Sequence, residues 1–530
     1  MKSPCHKLIV LFGILFSCFC ANSVHANVYA TDIKLNGSLN AGVLVPGFGL
    51  TISYVLNDAA TGGVWIRICS GTNVVQTLSS TNGNAETNAG LNSAIWSDTP
   101  ELVEGVYTVS ITAASAGYDT WTNITDDGPN FYVDVPRGVS VNQNTNSPFY
   151  GRVYVASAYG GNVGIYKCNA DGSPADEGGF STGGWGWAGD HYSPWKMAVG
   201  ADDRLYVDDY SGGVVVSFDP TIEANHWRHV MRTDNYPAGG DPNASLSGLS
   251  VIGVATNEEI WMTDAYPNGG SAGIIDWQLT ADGVAATNDT GAVIVPLDSF
   301  FLTQAPYDLA VDSNGFIYTI QFLTHNEDPA GLALLSYDLE PETTVRWAVA
   351  MYPALLRAYG VAVDPTATVV AAAVVGPCDT ESACGGLYLF SATNDGEFIS
   401  NLDQTGGDAY YDVAWDKAGN LYALDGGSDY RQAVWRAYSP PGTNQATTVA
   451  VPVIQAYDVL LPPNLANPVA EPGRLRFMLE GQSNVTYVIQ ASCDLANWAA
   501  VATNFSANAN RWICVPACGD QGFYRAMTVP

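Results

Sequence analysis

PYDLAVDSNGFIYTI, residues 306–320, divides into two short strands about a turn. Leu309, Ala310 and Val311 form an apolar strand, Asp312-Ser313-Asn314-Gly315 a polar turn, and Phe316-Ile317-Tyr318 the return. These turn residues tolerate tight or left-handed backbone, so the stretch predicts a hairpin. The phrase recurs as WKMAVGADDRLYV from Trp195, AYGVAVDPTATVV from Ala358 and YDVAWDKAGNLYAL from Tyr411. A looser copy, IGVATNEEIW, covers Ile252–Trp261, and a first copy with a longer hairpin begins at Gly138.

The second-strand anchors are Val153, Leu205, Ile260, Ile317, Val369 and Leu421, spaced 52, 55, 57, 52 and 52 residues apart. In the last five copies the first-strand anchor (Val199, Val254, Val311, Val363, Trp415) stands six residues earlier. Self-similarity near 50 residues, with several short strands per unit, is the mark of a β-propeller. Six units predict six blades. Third strands follow in each, such as GVVVSFD from Gly213 and LALLSYDL from Leu332, and HWRHVM from His226 is a candidate fourth. TTVAVPVIQAY, from Thr447, is expected to complete the outer edge of a blade and close the ring.

Composition fits this reading. At 530 residues the chain exceeds one ordinary domain, and 14% charged residues with 54 glycines suit an all-β protein rich in turns. Residues 1–26 read as a secretory signal: Lys2 and Lys7, an apolar centre over Leu8–Cys20, and a small-residue cleavage site at Val24-His25-Ala26. No later segment approaches the apolar length of a membrane helix. Without the signal the net charge is −34, from 18 basic and 52 acidic residues. Such a field disfavours nucleic acid and anionic surfaces and is compatible with cations or neutral glycans. Seven cysteines remain, an odd number, so disulfides do not carry the scaffold. Cys378 and Cys384, closing a short loop in an exported chain, are expected to pair.

Residues 27–136 carry five or more short alternating strands between Gly and Asn turns, a β-sandwich pattern. ISYVLN, VVQTL, AGLNSAIWSD and EGVYTV there resemble the immunoglobulin-like domain of flagellar hook-capping and other secreted bacterial proteins. That likeness implies a spacer or interaction module. Residues 137–461 resemble NHL-type six-bladed propellers, whose commonest phrase, A-V-D-x-x-G-x-[IL]-Y, is matched fully around Asp312 and Gly315. A proline-rich linker, 462–472, precedes residues 473–530. There Tyr487, Ile489, Ser492, Asp494, Leu495, Trp498 and Phe523-Tyr524-Arg525 resemble a small C-terminal β module of secreted bacterial proteins. The expected fold is all-β: an immunoglobulin-like sandwich, a six-bladed propeller and a small C-terminal sandwich.

Signals for catalysis are poor. No G-x-S-x-G, phosphate loop, H-E-x-x-H or EF-hand loop is present, and His226 and His229 would lie on opposite faces of a strand. Calcium-dependent propeller lactonases open their first blade with Glu-Gly-Pro, where this chain has Arg137-Gly138-Val139. Asp208, Asp209, Asp264 and Asp425 follow second strands, as turn caps or as oxygen ligands for Ca²⁺. Four residues before the first-strand anchors stand Trp195, Tyr307, Tyr359 and Tyr411, with Ser250 the exception; Asp308 and Asp412 follow two of them. The preceding loops add Trp185, Trp187, Tyr192 and Tyr410. Rings beside carboxylates suit sugar binding, so Trp195, Tyr307, Asp308, Tyr359, Tyr411 and Asp412 are the candidate ligand site. At least two of the four rings should then be partly exposed. The expected function is binding or adhesion at the cell surface or outside it, toward polysaccharide or a cell-surface protein. The alternative is a hydrolase or lyase of glycans or lactones working through channel carboxylates, with Ca²⁺ as a possible aid.

Overall fold

The computed structural model describes residues 28–39, 41–44, 49–97, 105–126, 128–158, 162–187, 192–232, 246–254, 257–264, 273–286, 291–297, 306–321, 332–339, 344–350, 357–375, 385–403, 409–426, 433–442, 447–449, 453–456, 463–482, 485–506, 510–517 and 522–528. Cys378 and Cys384 lie outside them. Cys493 is disulfide-bonded, and Cys69, Cys168 and Cys514 are free thiols. Among the described residues no helix is long and apolar enough to cross a membrane.

Six successive antiparallel sheets form the centre of the chain. Five have four strands each, beginning with Pro136–Val141, Met197–Val199, Leu246–Val254, Pro306–Val311 and Arg357–Val363; the sixth begins with Tyr410–Trp415. These first strands touch one another in order, and Tyr410–Trp415 also touches Pro136–Val141, which closes the ring. This part of the chain is therefore a six-bladed β-propeller. Second strands fill the gaps between blades: Tyr318 and Ile320 of blade 4 pack on Val370, Ala372 and Val374 of blade 5, all fully buried. Asp312 holds its hairpin by accepting the Asn314 and Phe316 amides at 2.8 and 3.0 Å, while Gly315 supplies a φ of +84°.

The spacing of six holds where Val199 faces Leu205, Val311 faces Ile317 and Trp415 faces Leu421. Blade 3 departs from it. Ile260 faces Val251, because this hairpin continues for three more pairs, to Val254 and Asn257. The residue matching Trp195 and Tyr307 is thus Ser247 rather than Ser250. In blade 5, Val363 faces Val370, one residue beyond the expected anchor.

Two sheets pack face to face before the propeller. One orders Ala30–Leu35, Leu50–Leu56 and Gly90–Trp96; the other contains Gly63–Ser70, Asn73–Ser79 and Gly105–Ala114. Their inward residues, among them Ile33, Ile52, Trp96, Ile66 and Val109, form one core. The sheets cross the division expected at 136. Thr447–Val449 and Val453–Ala456 do not edge a blade: both pair with Gly105–Ala114, and the second also runs parallel to Ala41–Leu44. The outer edge of blade 6 is supplied instead by Thr122–Asn123 and Tyr132–Val133, paired with Ala433–Ser439. Apolar alternation says that a strand needs a neighbour, and does not say which one. The sandwich seats on blades 1 and 6, where the Tyr29 and Tyr422 hydroxyls are 3.0 Å apart and the Thr31 hydroxyl donates to the Tyr150 carbonyl. Residues 464–528 form two further three-stranded sheets around Phe477, Leu479, Tyr487 and Ile489.

The exchange makes the sandwich dependent on strands that follow blade 6 in the chain. An isolated fragment of residues 28–136 should give a poorly dispersed amide NMR spectrum, and fusing residues 447–456 to it should restore dispersion. A well-dispersed spectrum without the added strand would contradict this.

Candidate functional site

Five of the six first strands, all but that of blade 2, start with a β-bulge, a local irregularity that re-aims one side chain. The bulged residues are Arg137, Tyr307, Tyr359 and Tyr411; Trp195 and Ser247 hold the matching positions. Their side chains form a closed belt. Ring centroids lie 6.3 Å apart for Trp195 and Tyr307, 5.3 Å for Tyr307 and Tyr359, and 5.5 Å for Tyr359 and Tyr411. Arg137 completes the circle, its guanidinium 5.0 Å from the Tyr411 ring centre and 5.4 Å from that of Trp195. Small Ser247 lets Trp195 reach past it to Tyr307. Trp195, Tyr307 and Tyr411 are 2%, 5% and 5% exposed, and only Tyr359 is half-buried. The expectation of two partly exposed rings is therefore not met: these faces are used on one another.

One residue further along each strand lies a second layer, Gly138, Lys196, Gly248, Asp308, Gly360 and Asp412. Glycine and charge alternate around the ring. A side chain is excluded at the glycines, since a Cβ on Gly248 would sit 2.6 Å from the Asp308 Cα and one on Gly360 2.7 Å from the Asp412 Cα. Lys196 crosses the centre, ion-paired with Asp412 and, at 3.3 Å, with Asp308, and donates to the Tyr411 carbonyl at 3.2 Å. Each aspartate also accepts an amide from the next blade: Val361 N–H to Asp308 at 3.0 Å and Val139 N–H to Asp412 at 2.8 Å. In blade 3 the Gly248 amide donates to the Thr263 hydroxyl at 2.6 Å.

This layer floors a channel of about 610 Å³ that runs to the hairpin tips. Its walls include Ser140, Ala198, Ser250, Ala310, Ala362 and Ala414, one small residue from each blade. No belt residue lines it. Burial pushes Asp308 up to about 7, helped by Asp412 and opposed by Lys196, and burial likewise raises Asp412.

The other sequence candidates disperse. Trp185 and Trp187 pack between blades 1 and 2, and Trp185 donates to Asp209 at 2.8 Å. Tyr410 is fully buried; Tyr192, 45% exposed, stacks with Tyr210 and Trp195 beside the belt. Asp425 pairs with Arg436 at 2.7 Å, while Asp208 is fully buried with neither oxygen partnered, and burial raises its pKa well above the usual range. Among the described residues no three His, Cys, Asp or Glu gather as a metal cage. His226 bonds Asp219 at 2.7 Å in a turn, apart from His229, which packs on Trp185 and Trp227. Lys196 and Arg137 were not among the candidates, although the alternation of glycine and charge was present in the sequence, hidden by the three-residue slip in blade 3.

No protein-family model matches the chain. No curated protein matches it in sequence. Solved structures similar to it include streptogramin B lyase, 11% identical over 60% of this chain and 97% of that one, with a TM-score of 0.37. A luciferin-regenerating enzyme is 11% identical over 60% and 95%, TM-score 0.35. Regucalcin from Agrobacterium tumefaciens str. C58, a calcium-binding protein, is 10% identical over 62% and 96%, TM-score 0.38. Likenesses this distant say nothing of activity, and the propeller assignment rests on the closed ring of sheets.

Two stability outcomes follow from this geometry. Between the unfolded carboxyl value of 3.8 and about 7, the folded chain binds the extra proton at Asp308, so this layer's contribution should fall as pH rises through that window. Lys196→Met strands two buried carboxylates and should cost about 3–5 kcal/mol at pH 8, and less at pH 5, in urea unfolding. A pH-independent cost would contradict the charge assignment. Tyr411→Ala removes a buried belt ring and should cost about 3–5 kcal/mol at either pH.

Proposed function

We propose that the protein is an exported ligand-binding propeller whose channel takes a small polar ligand at the Lys196–Asp308–Asp412 floor. One observation carries the reading: a cavity of about 610 Å³, within the usual size of ligand sites, narrows onto three convergent charged side chains. In this reading Asp308 and Asp412 face the ligand, while the aromatics pack on one another behind them. Export rests on the signal pattern of residues 1–26. Polysaccharide or a cell-surface protein is the partner this reading proposes, and sugar hydroxyls can donate to the carboxylates.

A second reading is favoured by one feature. Asp308, holding its proton to about 7 beside the Lys196 ammonium, is poised for general acid–base work, as a channel hydrolase or lyase of glycans or lactones requires.

Ala310→Trp and Ser250→Trp narrow the channel from two blades without touching the floor. Glycan-array signals of the mature protein should drop at least about tenfold in both variants while the melting temperatures stay within a few degrees of wild type. Undiminished binding in both would remove the channel as the site. Turnover of a glycan or lactone panel that is lost in Asp308→Asn, with binding retained, would select the catalytic reading.

A further inference from the structure

We infer that the channel floor is a cation site occupied by the chain's own Lys196 ammonium, and that the channel takes small primary amines or diamines. The inference rests on the channel reading above and names its ligand. Lys196 donates to Asp412 and the Tyr411 carbonyl and is ion-paired with Asp308 at 3.3 Å. Its charge is thus already met by two carboxylates, which an incoming anion would have to displace. The two carboxylates each hold about four acceptor sites, and the amides of Val361 and Val139 together with Lys196 occupy only part of them. What remains at the floor is acceptor capacity, which calls for a donor-rich ligand.

The surroundings choose among donors. The channel is lined by Asp308, Asp312, Asp364 and Asp412 against Lys196 and Lys417, an excess of two negative charges. The chain as a whole carries −32, and a cleft focuses such a field toward cations. Six small residues among the lining, Ser140, Ala198, Ser250, Ala310, Ala362 and Ala414, leave the channel open toward the floor, so an amine can reach it. Lys196 itself displays the fit: four methylenes ending in an ammonium between two carboxylates. A polyol would use the same lone pairs without gaining from the field, and an anion would be repelled by it.

Calorimetry on the intact mature protein tests this with 1,4-diaminobutane and butylamine, set against 1,4-butanediol and succinate, at low salt. The diamine should bind, with affinity rising about tenfold from pH 6 to pH 8 as Asp308 loses its proton while the amines stay charged. Loss of that binding in Ala310→Trp places it in the channel. Equal binding of butanediol would overturn the inference and leave the channel reading standing. Amine binding that persists in Ala310→Trp and Ser250→Trp would overturn both, as would no binding by any probe together with unchanged glycan-array signals in those variants. In Lys196→Ala the emptied slot should accept butylamine and raise the melting temperature by several degrees, with no such rise in wild type. If that variant does not fold, the wild-type titrations still decide.

Discussion

A buried ammonium between two buried carboxylates is the constraint on which this propeller turns. Charges removed from water are tolerated only when paired and hydrogen-bonded, and here the partners come from different blades. Lys196 belongs to blade 2, Asp308 to blade 4 and Asp412 to blade 6, with backbone amides of blades 5 and 1 completing the aspartates. The layer therefore reports on whether five of six blades are in place. The three glycines between the charges let each neighbouring backbone come close enough for that bonding.

Much of the fold was legible because a propeller repeats its grammar. Apolar strand, aspartate-led turn and aromatic return recur near every 50 residues, and the turn aspartates cap the hairpins they open. What the pattern did not contain was strand ownership. Thr447–Val449 and Val453–Ala456 have the alternation of any half-buried strand, and only three-dimensional proximity assigns them to the sandwich. Blade 3 was misregistered for a related reason: its first strand runs three residues longer, and extra polar pairs look like a turn in one dimension.

The site was legible in part. Asp308 and Asp412 were singled out beside aromatics, and those aromatics do lie in one ring. Their role was reversed by packing: once five large side chains converge on one axis, their faces meet each other before they meet solvent. Lys196 went unnoticed because one lysine beside a tryptophan carries no motif. Its meaning appears only when the six first strands are superposed.

Ring closure and site are one problem in this chain. A propeller must fasten its last blade to its first, and that joint is where the covalent chain gives no help. Here it is held from two sides. Inside, Asp412 of blade 6 accepts the Val139 amide of blade 1 at the channel floor. Outside, Thr122–Asn123 and Tyr132–Val133 edge blade 6 just before the chain enters blade 1 at Pro136. The sandwich rests on the same two blades through Tyr29 and the fully buried Asp416, which burial pushes up to about 6. Asp416 immediately follows Trp415, a residue of the channel wall. Asp412, the channel floor and the seam that the exchanged strands flank thus lie on one joint, between blade 6 and blade 1.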